Sequence, residues 1–108
     1  MRGIVWYKNK DVGFEKMRRI MQGYEMRGIG IQDTNLIQSR EHISVQFTNG
    51  DIWKCIPVRE SARGNRTNIS IIERCIDKEM VENVIFPATT SYPYKAFDFY
   101  GEGELGWR

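Results

Sequence analysis

Ile43-Ser-Val-Gln-Phe-Thr-Asn-Gly-Asp-Ile-Trp-Lys-Cys-Ile-Pro-Val58 decides the fold. Ile43, Val45 and Phe47 alternate with Ser44, Gln46 and Thr48, the period of a strand with one buried face. Asn49-Gly50 follows, and both residue types accept the positive φ that a type I′ turn needs. Residues 52–58 are again β-prone, so the stretch predicts a hairpin. A two-residue turn pairs Thr48 with Asp51, Phe47 with Ile52, Val45 with Lys54 and Ile43 with Ile56. One face then collects Ile43, Val45, Phe47, Ile52 and Ile56. Only Lys54 interrupts it, tolerable if its stem packs while its ammonium escapes at an edge. Pro57 confines the second strand to an edge or an end. An antiparallel hairpin excludes a purely parallel sheet.

Upstream, Ile4, Val5, Trp6 and Tyr7 read as a short buried strand between Gly3 and Asn9. The period then changes. Phe14, Met17, Met21 and Tyr24, with Ile20 beside them, form one face of a helix, and Lys16, Arg18, Arg19 and Gln22 fall mostly on the other. Asn9 or Asp11 can cap its start, and Gly28 and Gly30 supply its stop. Gly13 and Gly23 inside it each cost about 1 kcal/mol against Ala. Residues 29–37 are either two brief strands around Asp33-Thr-Asn35 or one irregular segment. Downstream, residues 59–68 are a polar loop, and Ile69, Ile71 and Ile72 begin a strand that ends near Ile76. Asp77 caps a second helix with Met80, Val81, Val84 and Ile85 on its apolar face, and Pro87 ends it. The tail 88–108, rich in Tyr, Phe and Gly, follows neither period and reads as irregular. The order predicts a single α/β or α+β domain, with a mixed sheet of four to five strands packed with two helices.

Composition narrows the function. The chain has 108 residues, 41% of them hydrophobic and 28% charged, which suits one core and argues against disorder. A net charge of +2 does not by itself imply a nucleic-acid partner, yet it conceals eight bases against four acids over residues 1–40 and eight against ten over 41–108. Cys55 and Cys75 are too few for a disulfide scaffold or a thiolate zinc site. They read as reduced core residues or as one bridge between neighbouring strands. No apolar run approaches the roughly 18 residues that span a bilayer, and the first residues lack a signal-peptide core, so no membrane is implied and a cytoplasmic location is expected.

One histidine, His42, rules out a site of two His and a carboxylate, and no Gly-x-Ser-x-Gly elbow is present. Neither cysteine is marked as activated, and the hairpin register sets His42 near Pro57 rather than Cys55. No catalytic residue and no cofactor are assigned. Among the acids Asp51, Glu60, Glu73 and Asp77, the pair Glu73 and Asp77 lies near one strand end. It is either the metal pair of a nuclease or phosphatase, or a solvated end and a helix cap. From Lys54 to Arg74 five bases face two acids. There Arg59, Arg63 and Arg66 flank Gly64 in a loop able to offer guanidinium forks and backbone N–H groups to phosphate. With Lys8, Lys10, Arg18 and Arg19 they are the candidate phosphate or nucleic-acid contacts. Trp6 and Trp53 read as core, and Trp107 as a possible stacking surface.

Residues 43–85 resemble the middle of the ATPase domain of phage large terminase subunits and related P-loop motors. The likeness lies in Val45-Gln-Phe-Thr-Asn-Gly50, Ala62-Arg-Gly-Asn-Arg66 and Ile69-Ser-Ile-Ile-Glu73, which match a hairpin, an Arg-Gly loop and an apolar strand ending in acid. The departures from that pattern are informative. A Walker B strand should end in Asp followed by Glu, and here Glu73 is followed by Arg74. The strand–helix junction at residues 7–16, Tyr-Lys-Asn-Lys-Asp-Val-Gly-Phe-Glu-Lys, lacks the Gly-Lys-Ser/Thr that cradles phosphates. The resemblance thus implies a core that does not hydrolyse ATP. The expectation is a small non-enzymatic binding or assembly protein of phage or prophage type. It would act through an uncovered sheet edge or the tail (Tyr92, Tyr94, Phe97, Phe99, Tyr100) on a second copy. The alternatives are nucleic-acid binding through the 59–66 loop, and a metal-dependent nuclease or phosphatase using Glu73 and Asp77.

Overall fold

Every residue from Gly3 to Tyr7 is buried, and a strand apolar on both faces belongs in the middle of a sheet covered on both sides. That is where β1 (Arg2–Tyr7) lies in the computed structural model, which describes residues 1–37, 42–59, 65–90 and 95–102, without the side chains of 35–37. Helix α1 (Lys10–Met26) follows, then β2 (Ile31–Ile37), β3 (His42–Phe47), β4 (Ile52–Pro57) and β5 (Ile69–Glu73). A second helix, α2, starts as α-helix (Lys78–Met80), widens into a π turn (Val81–Ile85) and closes as α-helix (Phe86–Ala88) before β6 (Ala96–Tyr100). The sheet order is β2-β3-β4-β1-β5-β6. β1 pairs in parallel with β4 and β5, and β5 with β6, while β2-β3 and β3-β4 are antiparallel. The single domain with a mixed sheet and two helices is as expected, but with six strands among the described residues rather than four to five.

Both additional pairings are non-local or irregular. β2 is one strand interrupted by a register shift between Ile31 and Asp33. β6 lies within the tail read as irregular and gains its partner, β5, from more than twenty residues upstream. Tyr92, Tyr94 and Trp107 of that tail lie outside the described residues.

The hairpin forms, with a different register. Ile43 pairs with Cys55, Ser44 with Lys54, Val45 with Trp53 and Gln46 with Ile52. The turn therefore has three residues, Thr48-Asn49-Gly50. Gly50 N–H donates to Phe47 O (3.0 Å), Phe47 N–H to Asp51 O (2.9 Å), and Gly50 takes φ 94°. Asn49 Oδ1 accepts the Asp51 N–H at 3.0 Å, closing an Asx turn. A shift of one residue exchanges the faces of a strand. Trp53 and Cys55 thereby join Val45 and Phe47 in one cluster, and Lys54 leaves that face altogether. Gly50→Ala is expected to lower stability by about 1 kcal/mol in urea unfolding, since only Gly adopts this φ without strain. An unchanged midpoint would refute the turn geometry.

Two clusters form on opposite faces of the sheet. α1 packs Met17 and Tyr24 onto Val5, Tyr7, Val45, Phe47, Trp53 and Cys55, with Phe14, Ile20 and Met21 at the margin. Tyr24 stacks on Phe47 at 3.8 Å between ring centroids, accepts the Trp53 Nε1–H (2.9 Å) and donates to Asp51 (2.7 Å). α2 packs Val81, Val84, Ile85 and Ala88 onto Ile4, Trp6, Ile56 and Ile72. Trp6 and Trp53 are core residues, as their sequence positions indicated.

The helix ends differ from expectation in detail. Asn9 stands at the N-cap of α1 without a side-chain capping bond, because its amide is engaged elsewhere. At the other end Gly28 (φ 75°) donates to Glu25 O and Ile29 N–H to Tyr24 O, the paired bonds of a Schellman stop. Asp77 occupies the N-cap of α2, also without a side-chain bond. Pro87 sits inside the last turn instead of ending the helix. The π turn just before it changes the hydrogen-bond spacing and places the proline where its missing N–H is tolerated.

Candidate functional site

The carboxyl ends of β1 and β5 lie side by side, because the two strands are parallel neighbours. Glu73 is the last residue of β5 and only 2% exposed. Its Oε1 accepts two successive backbone N–H groups, those of Lys8 and Asn9, each at 2.8 Å. Its Oε2 accepts the Asn9 side-chain N–H at 2.9 Å. A carboxylate thus occupies the small nest of amides where β1 turns into α1, next to the positive end of the helix dipole.

Burial alone would push the Glu73 carboxyl up. The donors from Asn9 and Lys8 outweigh it and hold the group below its ordinary value. Gly101, at φ 80°, closes over the site; a Cβ there would stand 3.3 Å from Glu73 Cγ and from Val12 Cγ1. Arg74 donates to Gly101 O at 3.2 Å, and Tyr100 donates to Trp6 O at 2.9 Å, tying β6 across this end of the sheet. Chemically this is a fixed anion with both oxygens occupied by donors. It orders the β1–α1 junction.

Of the metal pair, Asp77 is exposed at the start of α2, where its backbone oxygen accepts the Val81 N–H. Among the described residues no group of three or more His, Cys, Asp or Glu is placed to hold a metal ion. Asp51 belongs to the Tyr24 network, and Glu60 lies outside the described residues. Both cysteines are free thiols. Cys55 is a core residue whose burial pushes it up to about 12, whereas Cys75 stands half-buried in the turn after β5, 3.5 Å from the Asn9 amide nitrogen.

Among the described residues the candidate cations are spread over both sides of the sheet. Arg18 and Arg19 lie on the solvent side of α1 and both pair with Glu15, at 2.7 and 3.4 Å. The hydrogen bond from Arg18 draws Glu15 down to about 2. Lys8 and Lys10 flank the Glu73 nest, Lys10 with its ammonium 5.6 Å from the Phe14 ring centroid. Arg59 is exposed just after β4, and Arg63 lies outside the described residues. Arg66 stands on the α2 side of the sheet, where it shares a cleft with Arg2 and Lys54. Sequence reasoning missed both the Asn9–Glu73 lock and the Arg2–Lys54–Arg66 grouping. Each depends on the parallel placement of β1, which no local pattern signals.

Among the described residues no helix is long and apolar enough to cross a membrane. No protein-family model and no curated protein matches the chain. Its fold is similar to that of the large terminase from a thermophilic bacteriophage, in two crystal forms. Both have a TM-score of 0.53, at 10% and 12% identity, and cover 91% of this chain. The chain spans about a quarter of the length of those terminase chains, 24% and 25%. The resemblance to phage large terminases is thus a weak likeness of fold that covers most of the chain.

Proposed function

We propose that this chain is a non-hydrolytic binding or assembly protein of phage type, built on a terminase-like α/β core. The observation that carries the reading is the Glu73 carboxylate bonded to the Lys8 and Asn9 amides. In the P-loop cores that this chain resembles, the junction after the first strand cradles a phosphate. Here the same kind of junction is filled by the protein's own anion, and a buried carboxylate repels a phosphate at that position. Binding is left to the outer surface, where β2 and β6 are the two edge strands and Ile31 and Phe97 are exposed on them.

The test is steady-state ATP turnover with Mg²⁺, compared between the native protein and Glu73→Gln. The expected rate is that of the buffer blank for both. Saturable, Mg²⁺-dependent turnover by the native protein that is lost in Glu73→Gln would overturn the reading.

A further inference from the structure

Arg2, Lys54 and Arg66 come from three separate segments and line one cleft of about 180 Å³, completed by Gly3, Ile4 and Ile52. The parallel register sets Arg2 opposite Ile52 and Ile4 opposite Lys54, so these four side chains share one sheet face. Among the described residues the cluster beneath α2 includes Ile4, Trp6 and Ile56 but not Ile52, which is half-buried at the amino-terminal end of β4.

The third cation is held by a fixed backbone. Thr67, next to Arg66, donates through Oγ1 to Arg2 O (2.8 Å) and through its N–H to Ala88 O (2.9 Å). Asn68 N–H also donates to Arg2 O (2.9 Å), and Asn68 Oδ1 accepts the Arg2 N–H (3.1 Å). Both Thr67 and Asn68 are buried. The spacing of Arg2 and Arg66 is thereby set by the three hydrogen bonds between Arg2 and Thr67–Asn68 rather than by a free loop.

Among the described residues no acidic residue lines the cleft, and no ion pair involves Arg2, Lys54 or Arg66. Three like charges around one concavity repel each other, and the arrangement favours an anion that accepts from several donors at once. A phosphate does so, with guanidinium forks and an ammonium matching its oxygens. Ile4 and Ile52 add an apolar floor for the sugar or base that carries it. The volume falls below the roughly 300–1,000 Å³ of a pocket enclosing a drug-sized molecule, so the group is gripped while its bearer extends outward.

We propose that this cleft binds a phosphate group carried by a nucleotide or a nucleic-acid strand. The proposal does not depend on the role given to Glu73, and turnover of ATP is not its readout.

The experiment is fluorescence anisotropy with labelled single- and double-stranded oligonucleotides over a salt series, with an unlabelled nucleoside triphosphate as competitor. Binding is expected to weaken with salt with a log–log slope of about −0.7 for a single strand, the value for one neutralised phosphate. Lys54→Ala combined with Arg66→Ala should weaken binding about tenfold or more and flatten the slope, with melting unchanged. Arg18→Ala combined with Arg19→Ala, on the opposite side of the sheet, should change neither. Competition by millimolar nucleoside triphosphate supports a nucleotide as the source of the phosphate, and strand binding that resists it supports a polymer. Absence of salt-sensitive binding to any of these probes would overturn the proposal. Equal loss in the Arg18/Arg19 variant, or none in the Lys54/Arg66 variant, would do the same.

Discussion

Glu73→Ala is expected to lower the unfolding free energy by about 3 kcal/mol at neutral pH, read from urea denaturation. The substitution strips the acceptor from the Lys8 and Asn9 amides and from the Asn9 side chain. Hydrogen bonds to a charged group contribute about 1.5–3 kcal/mol each, and stranded donors near the interior add to the loss. Water reaching the nest recovers part of it, which keeps the total below the sum of the bonds. Glu73→Gln should cost less, since one oxygen is kept, but its NH₂ faces donors and cannot satisfy them. The pH dependence has a definite sign. Because the folded protein holds Glu73 below its ordinary carboxyl value, the contribution is full above the unfolded pKa and disappears as pH falls through the folded one. The difference between native protein and Glu73→Gln should therefore be largest near neutrality and shrink in acid. A neutral Glu73→Ala would mean that the carboxylate does not organise the junction.

The second large effect separates two glycines of the same helix. Gly13→Ala is expected to destabilise the protein by about 2 kcal/mol. A Cβ at this position would lie 2.5 Å from Tyr7 Cβ and 2.6 Å from Tyr7 Cγ. Those atoms sit at the root of a side chain that is 1% exposed and cannot swing away. Overpacking costs about 1–3 kcal/mol or more, and the gain in helix propensity offsets only about 1. Gly23→Ala should have the opposite sign, because nothing lies within 4 Å of its Cβ position. The propensity gain then stands alone, at up to about 1 kcal/mol of added stability. Thermal melting of the two variants checks both. If both stabilised the protein, α1 would not pack on β1 as closely as described.

The same contrast explains how much of the fold is legible in the sequence. β1, α1, the hairpin, β5 and α2 follow from local periods: Ile4 to Tyr7, the Phe14–Met17–Met21–Tyr24 stripe, the alternation about Asn49-Gly50, and the Val81–Val84–Ile85 face. The hairpin register is harder. Asn-Gly suits both a two-residue turn and the last two positions of a three-residue one, and Asp51 bonding to Asn49 accompanies the longer form. Lys54 is the clue, since the two-residue register places it among Val45 and Phe47. β6 is not legible because its hydrogen bonds come from β5, across the whole of α2. The site divides in the same way. Glu73 stands out as an acid ending an apolar run, and Arg66 as part of a basic loop. Asn9 looks like a helix cap, and its actual bond to Glu73 spans 64 residues. Arg2 gives no local sign of meeting Lys54 and Arg66, because only the parallel pairing of β1 brings them together.

The claim that the protein's own carboxylate fills the junction after β1 is tested most directly by backbone amide NMR of Lys8 and Asn9 during an acid titration. Both amide protons should move together, with one midpoint below the ordinary glutamate value, and the movement should vanish in Glu73→Gln. Amides that do not respond, or that respond identically in Glu73→Gln, would contradict the account.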